Sequence, residues 1–126
     1  MVFKFRLISN EVKGFQRDIE ILSEQSFYNF HAILSQSFHY DDSQLTSFFT
    51  LDSKGKKLQE ITLFDFSEGK SKDIKLMDKC RLKDYISQKG DRLIYVFDYF
   101  NERRMSLELT DFLPNDDSII YPRISL

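Results

Sequence analysis

The stretch SFYNFHAILSQSF, residues 26–38, decides the fold because its apolar side chains recur at spacings of three and four. Its apolar stripe consists of Phe27, Phe30, Ile33, Leu34 and Phe38. This spacing predicts an amphipathic helix whose stripe faces the core. Ser26 can accept a hydrogen bond from an amide of the first turn, so we expect it to cap the helix. The polar run 39–43 then ends it.

Before the helix, apolar and polar residues alternate in two short stretches. In residues 2–8, Phe3, Phe5 and Leu7 share one face. The same alternation returns in residues 15–22 after a turn. A period of two is typical of half-buried strands, so we predict an antiparallel hairpin here.

After the helix, residues 44–51 and 58–64 predict a second pair of strands. The neighbouring Phe48 and Phe49 must point to opposite faces of the first of these strands. Residues 65–80 are polar and charged for much of their length, so we predict a surface loop. Residues 82–86 predict a short helical turn.

The run RLIYVFDY, residues 92–99, is continuously apolar over most of its length, which is typical of a strand buried on both faces. We therefore place it in the middle of the sheet. Residues 105–110 alternate again and predict the return strand of a further hairpin. The apolar ending IIYPRISL should dock on the sheet, with Pro122 at an edge or in a bend.

These elements predict one α+β domain over residues 1–126, with a roll-like mixed or antiparallel sheet of about five to six strands built from hairpins. The main helix packs on that sheet. A chain of 126 residues suits a single core, and 13 Phe and six Tyr predict that rings fill it.

Composition excludes several classes of function. A net charge of −2 gives no overall field that attracts phosphates. The single Cys80 excludes a disulfide framework and multi-cysteine zinc sites, and we expect it to fill space in the core. The amino terminus lacks a secretory signal and no apolar stretch is long enough to span a membrane, so we expect a soluble, cytoplasmic protein without a membrane partner.

Three blocks carry a resemblance to a known family. They are FQRDIEI at 15–21, SFYNFHAILSQSFHYDDSQLTSFF at 26–49 and KGDRLIYVFDY at 89–99. In this order they resemble the plasmid pRiA4b ORF-3-like family over residues 1 to about 112. The resemblance implies an α+β roll whose sheet wraps the helix. It implies no established activity, although some members are encoded on plasmids or near mobile elements.

The chain departs from the family at two places. Where members tend to have His-Leu-His, this chain has Gln44, Leu45 and Thr46. Where the turn after the buried strand usually carries Gly, Trp and His, this chain has Phe100, Arg103 and Met105. Any chemistry of those family residues is therefore expected to be absent. Members often extend past the point where this sequence ends, so we expect Leu126 to be a boundary chosen for expression.

The two histidines give only weak candidates for chemistry. His39, Asp41 and Asp42 cluster after the helix and could ligate a divalent metal in a metal-assisted hydrolase, but such tight spacing rarely completes a site. We instead expect the aspartates to organise a turn. His31 lies beside the apolar stripe, and we expect it to be half-buried and bonded to a strand carbonyl. No cofactor is expected.

The leading hypothesis is a non-catalytic binding or interaction module for an unknown protein or small molecule. The residues expected around its groove are Tyr28, Tyr40, Asp98, Tyr99, Phe100 and Arg103. A mobile-element-associated nucleic-acid-binding protein is the alternative. It requires the basic turns to converge beside Tyr95 or Tyr99. Those turns contain Lys54, Lys56, Lys57, Lys70, Lys72, Arg103 and Arg104. The oligomeric state stays open.

Overall fold

Seven strands, one α-helix and two 3₁₀ helices make up the part of the chain that the computed structural model describes, which is residues 1–9, 11, 13–38, 45–65, 67, 69–70 and 73–125. The elements are β1 (Val2–Ser9), β2 (Gln16–Leu22), α1 (Phe27–Phe38), β3 (Ser47–Leu51), β4 (Lys57–Thr62), β5 (Arg92–Asp98), β6 (Arg103–Leu113) and β7 (Arg123–Ser125). The 3₁₀ helices are Met77–Lys79 and Leu82–Asp84. The predicted main helix and the helical turn that starts at Leu82 are confirmed.

The strands form one sheet in the order β4-β3-β5-β6-β1-β2-β7. All pairs of named strands are antiparallel, and a bridge between Thr62 and Leu76 is parallel. The three predicted hairpins, β1–β2, β3–β4 and β5–β6, are confirmed. The central position of β5, between β3 and β6, is confirmed as well.

The prediction of about five to six strands is wrong, because the sheet has seven. The additional strand is the carboxyl-terminal segment, which does dock on the sheet as expected. It pairs with β2 through Asp18↔Ser125, Ile19↔Ile124 and Glu20↔Arg123. Three residues are too few to show a period of two, so no pattern in the sequence marks them as a strand. The roll-like wrapping of the helix stays a prediction.

The segment between β4 and β5 corrects a second prediction. Its carboxyl-terminal part is not a surface loop, because Met77 is fully buried and Cys80 is 5% exposed. A 3₁₀ helix places Met77 in the core cluster. Leu76 and Met77 are adjacent and lie between Lys75 and Asp78, so they gave no clear periodic signal. Cys80 fills space in the core, as predicted.

The helix begins with a reciprocal cap, which confirms the predicted role of Ser26. The Asn29 amide donates to Ser26 Oγ (3.1 Å), and the Ser26 amide donates to Asn29 Oδ1 (3.1 Å). Such a capping box satisfies amides that have no partner within the helix. Phe27, Phe30 and Leu34 are fully buried, so the apolar stripe faces the sheet.

Aromatic rings join the helix to the sheet. The ring of Phe48 on β3 lies 5.2 Å from that of Phe27, 5.3 Å from that of Phe30 and 4.8 Å from that of Tyr95, measured between centroids. Phe30 also contacts Phe5 of β1 at 5.1 Å. These tilted and edge-on contacts stabilise beyond the area that they bury. Phe48 is therefore the point where α1, β3 and β5 meet.

The opposite face of the sheet, called here the outer face, carries charged and polar side chains. Lys4 and Arg6 of β1 approach Asp18 of β2 at 3.7 and 4.0 Å. Glu20 of β2 binds Arg123 of β7 at 3.1 Å. These cross-strand pairs combine opposite charges, which favours the observed register.

We expect Phe48→Ala to lower the free energy of unfolding by about 3–5 kcal/mol, because it leaves a cavity among rings that are fully buried. Phe49→Ala is the matched control, because it also truncates a phenylalanine of β3, but one that points to the opposite face of the sheet. Its loss should be clearly smaller, because Phe49 is only partly buried. Urea unfolding of both variants measures the difference, and equal losses would contradict this packing.

Candidate functional site

The structure does not bring the predicted groove residues together at one place. Asp98, Tyr99 and Phe100 lie at the hairpin between β5 and β6. Tyr28 lies on α1, on the core face of the sheet, and lines a separate cleft. Tyr40 lies outside the described residues. Tyr99 therefore lines one cavity and Tyr28 lines another.

Tyr99 borders a cavity of about 340 Å³ on the outer face, called here the outer groove. The described residues that line it are Phe49, Lys57, Val96, Tyr99, Glu102 and Arg104. Alternation along β3 directs Phe49 outward because Phe48 points into the core. The cavity therefore combines an aromatic floor with charges of both signs.

Two hydroxyls hold one carboxylate oxygen beside the groove. Tyr99 Oη donates to Glu60 Oε2 (2.5 Å), and Ser47 Oγ donates to the same oxygen (2.7 Å). Partial burial raises the pKa of Tyr99 to about 12, and the hydrogen bond to Glu60 acts in the same direction. Tyr99 therefore keeps its proton at neutral pH, and the bond to Glu60 fixes its orientation.

The cations near the groove differ in how they are engaged. Lys57 Nζ lies 4.2 Å from the centroid of the Phe49 ring, a cation–π contact. Arg103 binds Glu11 through Nε and Nη2 at 2.9–3.1 Å and lies over the Phe97 ring at 4.9 Å. The side chain of Arg104 forms no ion pair or hydrogen bond with another described residue.

The hairpin tip is ordered by its own polar groups. Asp98 accepts hydrogen bonds from the Asn101 amide (3.3 Å) and from Asn101 Nδ2 (2.8 Å). The bond from the Asn101 side chain holds the pKa of Asp98 below its usual value. Phe100 is 90% exposed at the tip. Glu102 has a left-handed backbone, with φ of 53°, which disfavours residues other than glycine.

The described basic turns converge only in part, because two of their residues line the outer groove. Because β3 and β5 are antiparallel, the turn after β3 and the turn after β5 lie at opposite ends of these strands. Lys54 and Lys56 therefore lie away from Arg104, and their amides donate to Asp52 Oδ1 at 2.9 and 2.8 Å. Lys70 lies between β4 and β5, and Lys72 lies outside the described residues. Of the described basic residues in these turns, Lys57 and Arg104 line the groove with Tyr99.

His31 is buried rather than half-buried, and one of its ring nitrogens contacts a tyrosine hydroxyl. His31 is 2% exposed, and its Nδ1 lies 2.7 Å from the hydroxyl oxygen of Tyr95. Tyr95 itself is fully buried, so it is not available for stacking on a ligand. Alternation along β5 directs Tyr95 inward to meet the helix.

The metal candidates His39, Asp41 and Asp42 lie outside the described residues, so that site stays a prediction. Within the described ranges, no three His, Cys, Asp or Glu side chains are grouped closely enough to hold a metal ion. In the same part of the chain, no helix is long and apolar enough to cross a membrane.

The family model for plasmid pRiA4b ORF-3-like protein matches residues 2–125, nearly the whole chain. This chain belongs to that family. The match extends beyond the region in which the motifs of this pRiA4b ORF-3-like protein could be recognised, and it includes β7. No curated protein matches the chain.

A solved structure shares the fold of this pRiA4b ORF-3-like protein. It is that of MM3350, a protein of unknown function from Methanosarcina mazei Go1, with a TM-score of 0.78. The two are 19% identical, and the similarity covers 99% of this chain and 67% of the other. At this identity the likeness supports the fold alone.

The sequence pointed to Tyr99 as a candidate but not to the residues that surround it. Glu60, Ser47 and Phe49 come from two other strands and meet Tyr99 only because of the registers β3–β4 and β3–β5. The one signal in the sequence for these residues was the alternation along β3, which predicted that Phe49 points away from the face of Phe48. Of the positions where the chain departs from its family, Phe100 is exposed, whereas Thr46 and Met105 are buried.

We expect Tyr95→Phe to lower the free energy of unfolding by about 1–3 kcal/mol, because it removes a buried partner of His31 while keeping the ring. Tyr28→Phe is the control, since Tyr28 is 46% exposed and water can replace its hydroxyl's contacts. Urea unfolding at neutral pH measures both. A loss for Tyr28→Phe as large as that for Tyr95→Phe would contradict the assigned hydrogen bond.

The left-handed backbone of Glu102 gives a second stability test. We expect Glu102→Val to be less stable than Glu102→Gly by about 1–2 kcal/mol, because only glycine adopts this backbone without a steric cost. The side chain is exposed, so burial contributes little to the difference. Thermal unfolding of the pair measures it, and equal stabilities would argue against the φ assigned to Glu102.

Proposed function

We propose that this protein is a non-catalytic binding module whose outer groove binds a small ligand with one carboxylate or phosphate group. The observation that carries this proposal is Arg104, which lines the groove and forms no ion pair with any described residue. A guanidinium forms two parallel hydrogen bonds with a planar or tetrahedral oxyanion. Arg103, one residue earlier, already binds Glu11 in this way.

The walls of the groove suit a ligand with an apolar part next to its anionic group. Phe49 and Val96 supply apolar surface, and Tyr99 supplies a ring whose hydroxyl is held by Glu60. A fixed ring loses little conformational freedom when a ligand packs on it, which favours affinity. Lys57 adds a second positive charge above the aromatic floor.

The acidic neighbours favour a small ligand over a nucleic acid. A chain of phosphates that follows the groove would also pass Glu102 and Glu60, which repel it. The turn with Lys54 and Lys56 follows β3 and lies at the other end of the strands from the turn after β5. A nucleic-acid partner is therefore an outcome that the test below must distinguish.

Binding is favoured over catalysis by the state of Tyr99. Its pKa of about 12 makes it a poor base at neutral pH, and its proton already bonds to Glu60. The hydrolase hypothesis rests on His39, Asp41 and Asp42, which lie outside the described residues, so it stays a prediction.

We expect phenyl phosphate or benzoate to shift the amide signals of Tyr99 and Arg104 saturably in a nitrogen–proton NMR titration. Arg104→Gln should weaken this binding by about tenfold or more, because a hydrogen bond to a charged group contributes about 1.5–3 kcal/mol. Arg81→Gln is the matched control. Arg81 is exposed next to the second 3₁₀ helix on the core side of the sheet, and its replacement should leave binding unchanged.

Two results would contradict the proposal. One is the absence of saturable shifts at the groove with either probe while the spectrum shows a folded protein. The other is that a single-stranded oligonucleotide alone binds, with an affinity that falls steeply between low and physiological salt. That second result would support the nucleic-acid alternative instead.

A further inference from the structure

An apolar cleft lies where the start of β1, the end of β6 and the segment of the second 3₁₀ helix come together. Its volume is about 410 Å³, and four of the described residues that line it are apolar, namely Met1, Phe3, Ile86 and Phe112. We call it the Phe3 cleft. It shares no described lining residue with the outer groove or with the cleft beside Tyr28.

Backbone hydrogen bonds and paired rings hold the walls of the Phe3 cleft together. The Lys83 amide donates to the Ser23 carbonyl (2.9 Å), and the Ser23 amide donates to the Met1 carbonyl (2.9 Å). Phe3 and Phe112 are partners in the β1–β6 register, and their rings pack edge-on with centroids 5.7 Å apart. The walls are thus carried by a fixed framework, which lowers the entropic cost of binding a ligand.

Two polar residues that line the cleft have no side-chain partner within the described part of the chain. Ser23 is 8% exposed, and its hydroxyl forms no hydrogen bond with another described residue. A buried hydroxyl without a partner costs free energy, and an oxygen of a ligand can supply that partner. Lys83 is the one charged side chain among the described lining residues, and it forms no ion pair with another of them. The neighbouring acids Glu24 and Asp84 do not line the cleft.

We propose that the Phe3 cleft binds a straight-chain alkyl carboxylate of medium length. The alkyl chain lies against the apolar walls, while the carboxylate accepts a hydrogen bond from the Ser23 hydroxyl and pairs with the Lys83 ammonium. A cavity of about 150 Å³ holds one benzene ring, so the cleft has room for a chain longer than a ring. A phosphate is less suited, because it carries more charge and more acceptor oxygens than Ser23 and Lys83 can satisfy.

The test is an NMR titration of the 126-residue chain with octanoate, hexanoate and octan-1-ol. Octanoate should shift the amide signals of Phe3, Ser23 and Phe112 saturably. It should bind several-fold more tightly than hexanoate, because each methylene that leaves water adds to the affinity. Lys83→Gln and Ser23→Ala should each weaken octanoate several-fold. Lys83→Gln should leave the affinity for octan-1-ol unchanged, because the alcohol carries no charge.

Lys79→Gln is the matched control, because Lys79 is exposed on the first 3₁₀ helix and does not line the cleft. Its affinity for octanoate should equal that of the unmodified chain. The proposal is overturned if Lys79→Gln weakens octanoate as much as Lys83→Gln, since the effect would then be one of overall charge.

The proposal is also overturned if hexanoate binds as tightly as octanoate, or if a folded protein shows no saturable shift at the Phe3 cleft. Shifts confined to Tyr99 and Arg104 would overturn it as well, because they would assign the carboxylate to the outer groove. That result would leave the binding proposed for the outer groove intact, so the two proposals can fail separately.

Discussion

The contact of Phe48 with rings from α1 is the interaction on which the other features depend. It fixes which face of β3 is buried, and through the pairing of β3 with β4 and β5 it fixes the facing of those strands as well. A shift of β3 by one residue would turn Phe49 toward the core and Phe48 toward the outer face. The side chain that lines the outer groove would then lie in the core. The register of β3 with its neighbours thus determines both which side chains fill the core and which line the outer groove.

The groove illustrates how a sheet assembles a site from residues that are distant in sequence. Ser47, Glu60 and Tyr99 belong to β3, to β4 and to the turn after β5, and all three meet at one oxygen atom. Burial of Tyr99 and its bond to Glu60 keep the phenol neutral, so the ring acts as a rigid wall. Arg104 of β6 lines the same groove and forms no ion pair with another described residue.

The sequence was sufficient for the features that depend on local periodicity. The helix follows from the spacing of Phe27, Phe30 and Leu34, and its cap follows from Ser26; the hairpins follow from alternation. The seventh strand was missed because its three residues are too few to show a period. The buried Met77 was missed because it and Leu76 are adjacent and lie between charged residues. The set of residues around Tyr99 was missed for a different reason: register between strands is a tertiary property, and neither Glu60 nor Ser47 has a local signal that points to Tyr99.

Charge on this protein acts at short range. The outer face pairs Lys4 and Arg6 with Asp18, and Arg123 with Glu20, so positive and negative side chains largely cancel a few ångströms apart. Screening at physiological salt acts over about 8 Å, which leaves little field to steer a distant polyanion. The binding that we propose at the outer groove would therefore depend on direct contact between an oxyanion and Arg104.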